Sequence, residues 1–182
     1  MAQVLTELSP KDYDWIHAQK MFFVATAPLD GQGHINCSPK GGPCFKLLND
    51  QTFIYIDYTG SGTETAAHLL ENERICIMFC AFEGPPKIMR FHGHGEVLTP
   101  DHPDFAGYVT QLAPNPGTRA LIRVHIQRIA SSCGFSVPFY DYVADRDTLD
   151  KWAENRGPDG LTAYRQEKNA QSIDGLPGVV HA

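Results

Sequence analysis

No run of apolar residues in this chain approaches the roughly 20 needed to cross a bilayer. The first residues, MAQVLTELSPKDYDWIHAQK, carry acids and bases throughout. A signal-peptide core is thereby excluded, no membrane partner is expected, and the expected location is cytoplasmic. Basic charge is also scarce. Fifteen Lys and Arg stand against 21 Asp and Glu, a formal net charge of −6, and no basic stripe could neutralise a phosphate backbone. Nucleic acid is not an expected partner. The cysteines, Cys37, Cys44, Cys76, Cys80 and Cys133, are odd in number and include no C-x-x-C pair. Neither a disulfide framework nor a zinc-finger spacing is present, and reduced thiols suit the cytosol. Cys76 and Cys80 fall on one face of a predicted strand but roughly 13 Å apart, too far to share a metal, so no metal site is expected. Internal repeats and low-complexity segments are also lacking.

What is present reads as one domain with a tail. A chain of 182 residues is long enough for one well-buried core and short for two. The division is expected at Asp145, where the composition shifts: a domain over 1–144 and a helical extension over 145–182 that packs on the barrel or on a partner subunit. Ser9-Pro10-Lys11-Asp12 opens a packing helix, with Ser9 as cap and Pro10 in the first turn. MFFVATA (Met21 to Ala27) and the partner strand His34 to Ser38 flank an Asp30-Gly31 hairpin signal, and Pro39 to Pro43 is expected to break that ladder. TFIYIDY (Thr52 to Tyr58) and RICIMF (Arg74 to Phe79) are apolar on both faces, as buried strands are. Lys87 to Leu98 puts Arg90, His92, His94 and Glu96 on one face, Pro103 to Leu112 reads as a helix, and Ala120 to Ala130 as a half-buried strand. Six strands, many Gly and Pro turns and no βαβ rhythm predict a mainly antiparallel barrel with helices added at its edges.

The rest of the chain is organised around Thr59 to Phe82, which reads as turn, short helix and buried strand. Two readings share the turn. The unpaired N–H groups that open a helix suit an anion; alternatively, Ser61-Gly62-Thr63-Glu64 matches a capping box that needs no ligand. Lys40, beside Gly41 and Gly42, is either an anion contact or a solvated loop lysine. His92 and His94, two apart on a strand, lack a third ligand at metal spacing and read as surface or hydrogen-bonded histidines. Cys133 has no neighbour in sequence to activate it and reads as a small core residue. Lys168 and Asn169 read as plain surface.

The segments INCSPKG, TGSGTETAAH, MFCAFEGPP, SCGFSVP and KNAQSIDGLPG resemble the pyridoxamine 5′-phosphate oxidase-related proteins, the FMN-binding split barrels, and among them a cytosolic pyridoxamine-oxidase-like subgroup. The resemblance covers about Met21 to Ala130 in outline. It implies a six-stranded antiparallel split β-barrel, a homodimer, and FMN at the dimer interface. It also implies a flavin-dependent oxidoreductase acting on a small-molecule substrate, with catalytic residues not identified. The alternative it leaves open is a non-catalytic protein that holds haem, a deazaflavin or another ligand in the same cleft. In these oxidases the turn before the short helix carries Ser-Arg-Lys for the flavin phosphate. Here Thr63-Glu64-Thr65 stands in its place, and a glutamate repels a phosphate dianion, which argues against pyridoxal phosphate synthesis. The cofactor contacts implied for this sequence are therefore Ser38, Lys40, Thr59, Ser61, Thr63, Thr65, His68 and Arg90. His92 and His94 are further candidates for ring or substrate contacts.

Overall fold

The computed structural model describes residues 3–180. In chain order the elements are β1 (Gln3–Leu5), α1 (Pro10–Ala18), β2 (Met21–Thr26), β3 (Asn36–Gly41), β4 (Phe45–Asn49), β5 (Thr52–Tyr58), α2 (Glu64–Asn72), β6 (Arg74–Cys80), β7 (Ile88–Leu98), α3 (Phe105–Val109), β8 (Thr118–Ser132) and α4 (Thr148–Lys168). Seven strands form one curled antiparallel sheet in the order β3-β2-β6-β7-β8-β5-β4, and β1 pairs with the far end of β8. The mainly β split-barrel architecture expected from the sequence is present. Its count of six strands is corrected, because Phe45–Asn49 pairs with β5 as a strand of its own and Gln3–Leu5 adds a short eighth.

Local chemistry explains the elements. α1 begins at a capping box in which the Ser9 side chain accepts from the Asp12 amide and the Asp12 carboxylate accepts from the Ser9 amide, with Pro10 in its first turn. The expected break at Pro39 does not occur. Pro39 lies inside β3 opposite Phe23, and β3 is the sheet edge, where a missing N–H costs no ladder bond. The helix expected over Pro103 to Leu112 contracts to the five residues of α3. α4 is two helical segments broken at Gly157, whose φ of 66° only glycine adopts easily, and Pro158 starts the second.

One face of the sheet is dry. Phe22, Phe53, Tyr55, Phe79 and Phe91 are fully buried and meet with ring centroids 5.4–6.1 Å apart. Each such ring contributes about 2–3 kcal/mol of burial, so this cluster holds the barrel shut. The other face, which carries Phe23 of β2, Met78 of β6 and Arg90 of β7 in register, is only half-buried. Among the described residues no helix is long and apolar enough to cross a membrane.

Candidate functional site

The site is built along the inward row of β3. Asn36, Ser38 and Lys40 stand opposite Thr26, Val24 and Phe22 of β2 and point to the same side of the sheet. Each meets a different partner. Asn36 Nδ2 donates to Thr26 Oγ1 at 3.1 Å and to Thr65 Oγ1 at 2.9 Å. Thr26 Oγ1 lies 3.0 Å from His68 Nδ1. The ring of His68 is fully buried, its Nε2 has no partner, and burial holds its pKa below the ordinary histidine value. Ser38 Oγ is likewise buried without a partner. Lys40 Nζ stands 4.0 Å from Asp57 Oδ1, beyond hydrogen-bond range, so its donors remain free for another group.

Asp57 is itself held elsewhere. Its Oδ2 accepts from Arg119 Nε at 2.9 Å and Nη2 at 2.7 Å, and both residues are buried. Arg119 Nη1 also donates to the Gly62 carbonyl. Neither residue was singled out from the sequence. The signal was there, since Asp57 is a lone acid on a strand apolar on both faces, and a buried carboxylate requires a cation.

The Thr59 to Thr65 loop is covered by the chain's own tail. Thr59 Oγ1 accepts from Arg165 Nε at 2.8 Å, and Asn169 Nδ2 donates to the Gly60 carbonyl at 2.9 Å. Thr63 Oγ1 accepts from the Val179 amide at 3.4 Å, and Glu64 Oε1 from the Ile173 amide at 3.3 Å. Asp174 closes the clasp on the hairpin, its Oδ1 2.6 Å from His34 Nδ1 and its Oδ2 accepting from the His34 amide. The capping box read at Ser61 to Glu64 does not form: Thr63 is the N-cap, without a side-chain cap bond, and Glu64 faces the tail. Ser61 is exposed. Asn169, read as surface, is fully buried.

Lys40, at the far end of the β3 row, borders a cleft of about 1330 Å³ at one end of the barrel. Its walls include Trp15, Tyr58, Phe82, Tyr140 and Tyr142, with Lys20 and Lys40 as cations on the sheet side and Glu83, Asp141, Asp145 and Asp150 toward the connector between β8 and α4. Cys44 forms part of the floor. Burial pushes its thiol up to about 11 even with Lys40 nearby, so it is a neutral group there at physiological pH. Tyr58 is pushed up to about 12 by burial, and its hydroxyl donates to the Ala113 carbonyl at 3.3 Å. The connector is pinned at the cleft mouth by the Tyr140 amide donating to the Phe82 carbonyl at 3.0 Å and by Lys20 over the Tyr142 ring at 5.3 Å.

Of the candidates read from the sequence, Lys40 and Thr59 line this cleft. Ser38, Thr63, Thr65 and His68 sit behind it, in the interior row or under the tail. Arg90 lies on the half-buried outer face, donating to Ser132 Oγ at 3.2 Å. His92 shares that face, with its pKa lowered by burial and by Arg128 and Arg90, and His94 stands 3.5 Å from Glu73. Cys133, read as a core residue, is exposed instead. Trp15, Lys20, Tyr140 and Tyr142 were not read as site residues, because they come from segments that meet only in the folded chain. Among the described residues no group of three or more His, Cys, Asp or Glu could hold a metal ion.

Known proteins share this architecture. The sequence profile of the pyridoxamine 5′-phosphate oxidase family matches residues 8–133. A curated relative, the pyridoxamine 5′-phosphate oxidase family protein ustO of Aspergillus flavus, is 41% identical over 191 aligned positions, covering 94% of this chain and 76% of that protein. Among solved structures, HupZ of Group A Streptococcus is 26% identical with a TM-score of 0.52, covering 67% of this chain and 91% of its own. An FAD-binding protein of Mesorhizobium loti has the same fold, at 15% identity and a TM-score of 0.51, over 72% of this chain and 95% of its own. The profile runs from just before α1 to the end of β8, and the alignment with the curated relative covers 94% of the chain, so this chain belongs to the pyridoxamine 5′-phosphate oxidase family.

Proposed function

We propose that this protein is a homodimeric flavin-dependent oxidoreductase that binds FMN in the Lys40 cleft. The observation that carries the reading is the cleft itself: a space of about 1330 Å³ with aromatic walls and two lysines on one side suits a planar ring system bearing an anionic tail. The fit differs between the two anion positions considered from the sequence. At the start of α2 the hydroxyls of Thr59, Thr63 and Thr65 already have partners within the chain. Glu64 adds a carboxylate in the first turn, and the tail covers the loop, so a phosphate dianion does not suit that position. At Lys40 the ammonium has donors to give, and Gly41, Gly42 and Gly60 line the same wall, where the backbone can approach a phosphate closely.

When bound there, the flavin supplies the hydride chemistry. The chain's own groups bind and orient. Lys40 and Lys20 neutralise the anionic end, and Trp15 and Tyr58 exclude water from the ring. Cys44 stays a thiol and Tyr58 a phenol at neutral pH, so neither serves as an anionic nucleophile or base. The FAD-binding relative of the same fold lends this reading indirect support. The described residues lining the cleft include no histidine, and Cys44 there is a neutral thiol rather than the thiolate that ligates haem, which favours the flavin reading over the haem alternative.

The test is a titration of FMN fluorescence with wild-type protein, Lys40→Ala and Thr63→Ala. Wild type and Thr63→Ala are expected to quench alike, and Lys40→Ala to bind at least about tenfold more weakly, the loss of one charge-assisted contact. Equal binding by Lys40→Ala, or a Soret band in the purified protein, would overturn the reading.

A further inference from the structure

The Lys40 cleft encloses more space than one small ligand fills. Small-molecule sites span roughly 300–1,000 Å³, and this one measures about 1330 Å³. Its two ends differ in charge. The lysine end suits the flavin phosphate, whereas the connector side carries Glu83, Asp141, Asp145 and Asp150 against one cation, Arg146. With a phosphate dianion neutralising Lys20 and Lys40, the remaining charge of the cleft is negative.

Two segments that meet only in the folded chain build that side. The turn after β6 brings Phe82 and Glu83, and the connector between β8 and α4 brings Tyr140 and Asp141. The Tyr140 amide donates to the Phe82 carbonyl at 3.0 Å, and the two rings meet at 5.4 Å with a tilt of 33°. Each ring is followed in sequence by a carboxylate that also lines the cleft. The four acids are not equally engaged. Asp145 accepts from the Tyr142 hydroxyl, and Asp150 accepts from Asn115 Nδ2. Glu83 uses Oε1 for the Tyr142 amide at 3.4 Å and keeps Oε2 open. Asp141 has no hydrogen-bond or ion-pair partner among the described residues. Free carboxylates beside aromatic rings recognise an organic ammonium ion, by charge and by cation–π attraction. Lys20 already uses this wall in that way, its ammonium standing 5.3 Å over the Tyr142 ring.

We propose that the second molecule taken up beside the flavin is a small organic ammonium ion, seated on Phe82 and Tyr140 with its charge between Glu83 and Asp141. The proposal rests on the flavin reading, which assigns the lysine end to the phosphate and leaves the acidic end to the substrate. A phosphorylated substrate does not suit this end, since a second dianion would face both the carboxylates and the phosphate of the flavin.

Isothermal titration calorimetry on the full chain, with and without FMN, tests it with two probes of one shape, benzylamine and benzyl alcohol. At pH 7 the first is a cation, as aliphatic amines are, and the second is neutral. Benzylamine is expected to bind at least about tenfold more tightly than benzyl alcohol. Glu83→Gln with Asp141→Asn removes both charges and keeps an acceptor for the Tyr142 amide. This double variant is expected to bind the two probes alike and still to quench FMN fluorescence. If wild type quenches FMN but benzylamine fails to bind, or binds no better than benzyl alcohol, the ammonium subsite is overturned and the flavin reading stands. An advantage for benzylamine that survives in the double variant also overturns the subsite. If wild type leaves FMN fluorescence unchanged, the flavin reading falls, and the FMN-free titrations decide the subsite by the same comparison.

Discussion

Arg119 grips a single oxygen of Asp57 with two donors, Nε at 2.9 Å and Nη2 at 2.7 Å, while Lys40 waits 4.0 Å from the other oxygen. The arrangement fixes Asp57 at the end of β5 and leaves the lysine beside the cleft without tying it down.

Removing one member of this buried pair should cost far more than removing an exposed one. Asp57→Ala leaves the Arg119 guanidinium buried without its counter-charge, and a loss of about 3–5 kcal/mol is expected from urea unfolding. A loss below about 1 kcal/mol would mean that the pair is solvated in solution, as surface pairs are.

His68 predicts a pH dependence. Its folded-state pKa is depressed, chiefly by burial, so between about pH 6.5 and that lower value the unfolded chain binds a proton that the folded chain does not. Stability is therefore intact above about pH 6.5 and falls as the pH drops through this window. Replacing the ring by His68→Leu removes this contribution, and the variant should lose less stability than wild type between about pH 7.5 and 5.5. Equal losses in the two proteins would assign the acid sensitivity to other groups.

The clasp of the tail on the α2 loop depends on Gly178. A side chain there would collide with the Asn169 carbonyl and with Thr63. Gly178→Ala is expected to cost about 1–3 kcal/mol and to make the segment after α4 a site of limited proteolysis, whereas Thr63→Ala removes only one long hydrogen bond and should leave it protected. Cleavage of the tail in wild type at the same rate as in Gly178→Ala would contradict the clasp.

How far these features could be read in advance depended on sequence separation. The cap of α1 was legible because Ser9, Pro10 and Asp12 are neighbours. The buried strands β5 and β6 were legible because both alternating sets are apolar. β4 was not among the six strands expected, since Phe45–Asn49 has little pattern of its own and becomes a strand only by pairing with β5. Pro39 argued for a break because nothing local marks a strand as an edge. The site divided in the same way. Lys40 and the α2 loop stood out by local chemistry, but Arg165, Asn169 and Val179 reach that loop from more than 100 residues away. That contact changes which of the two anion positions is open, and no spacing rule encodes it.

The central claim, that the Lys40 cleft holds a flavin, is tested most directly by titrating FMN with the purified wild-type protein and following flavin fluorescence. Saturable quenching at one FMN per chain, weakened by Lys40→Ala and left intact by Thr63→Ala, is the expected result. A protein that leaves FMN fluorescence unchanged throughout the titration would contradict it.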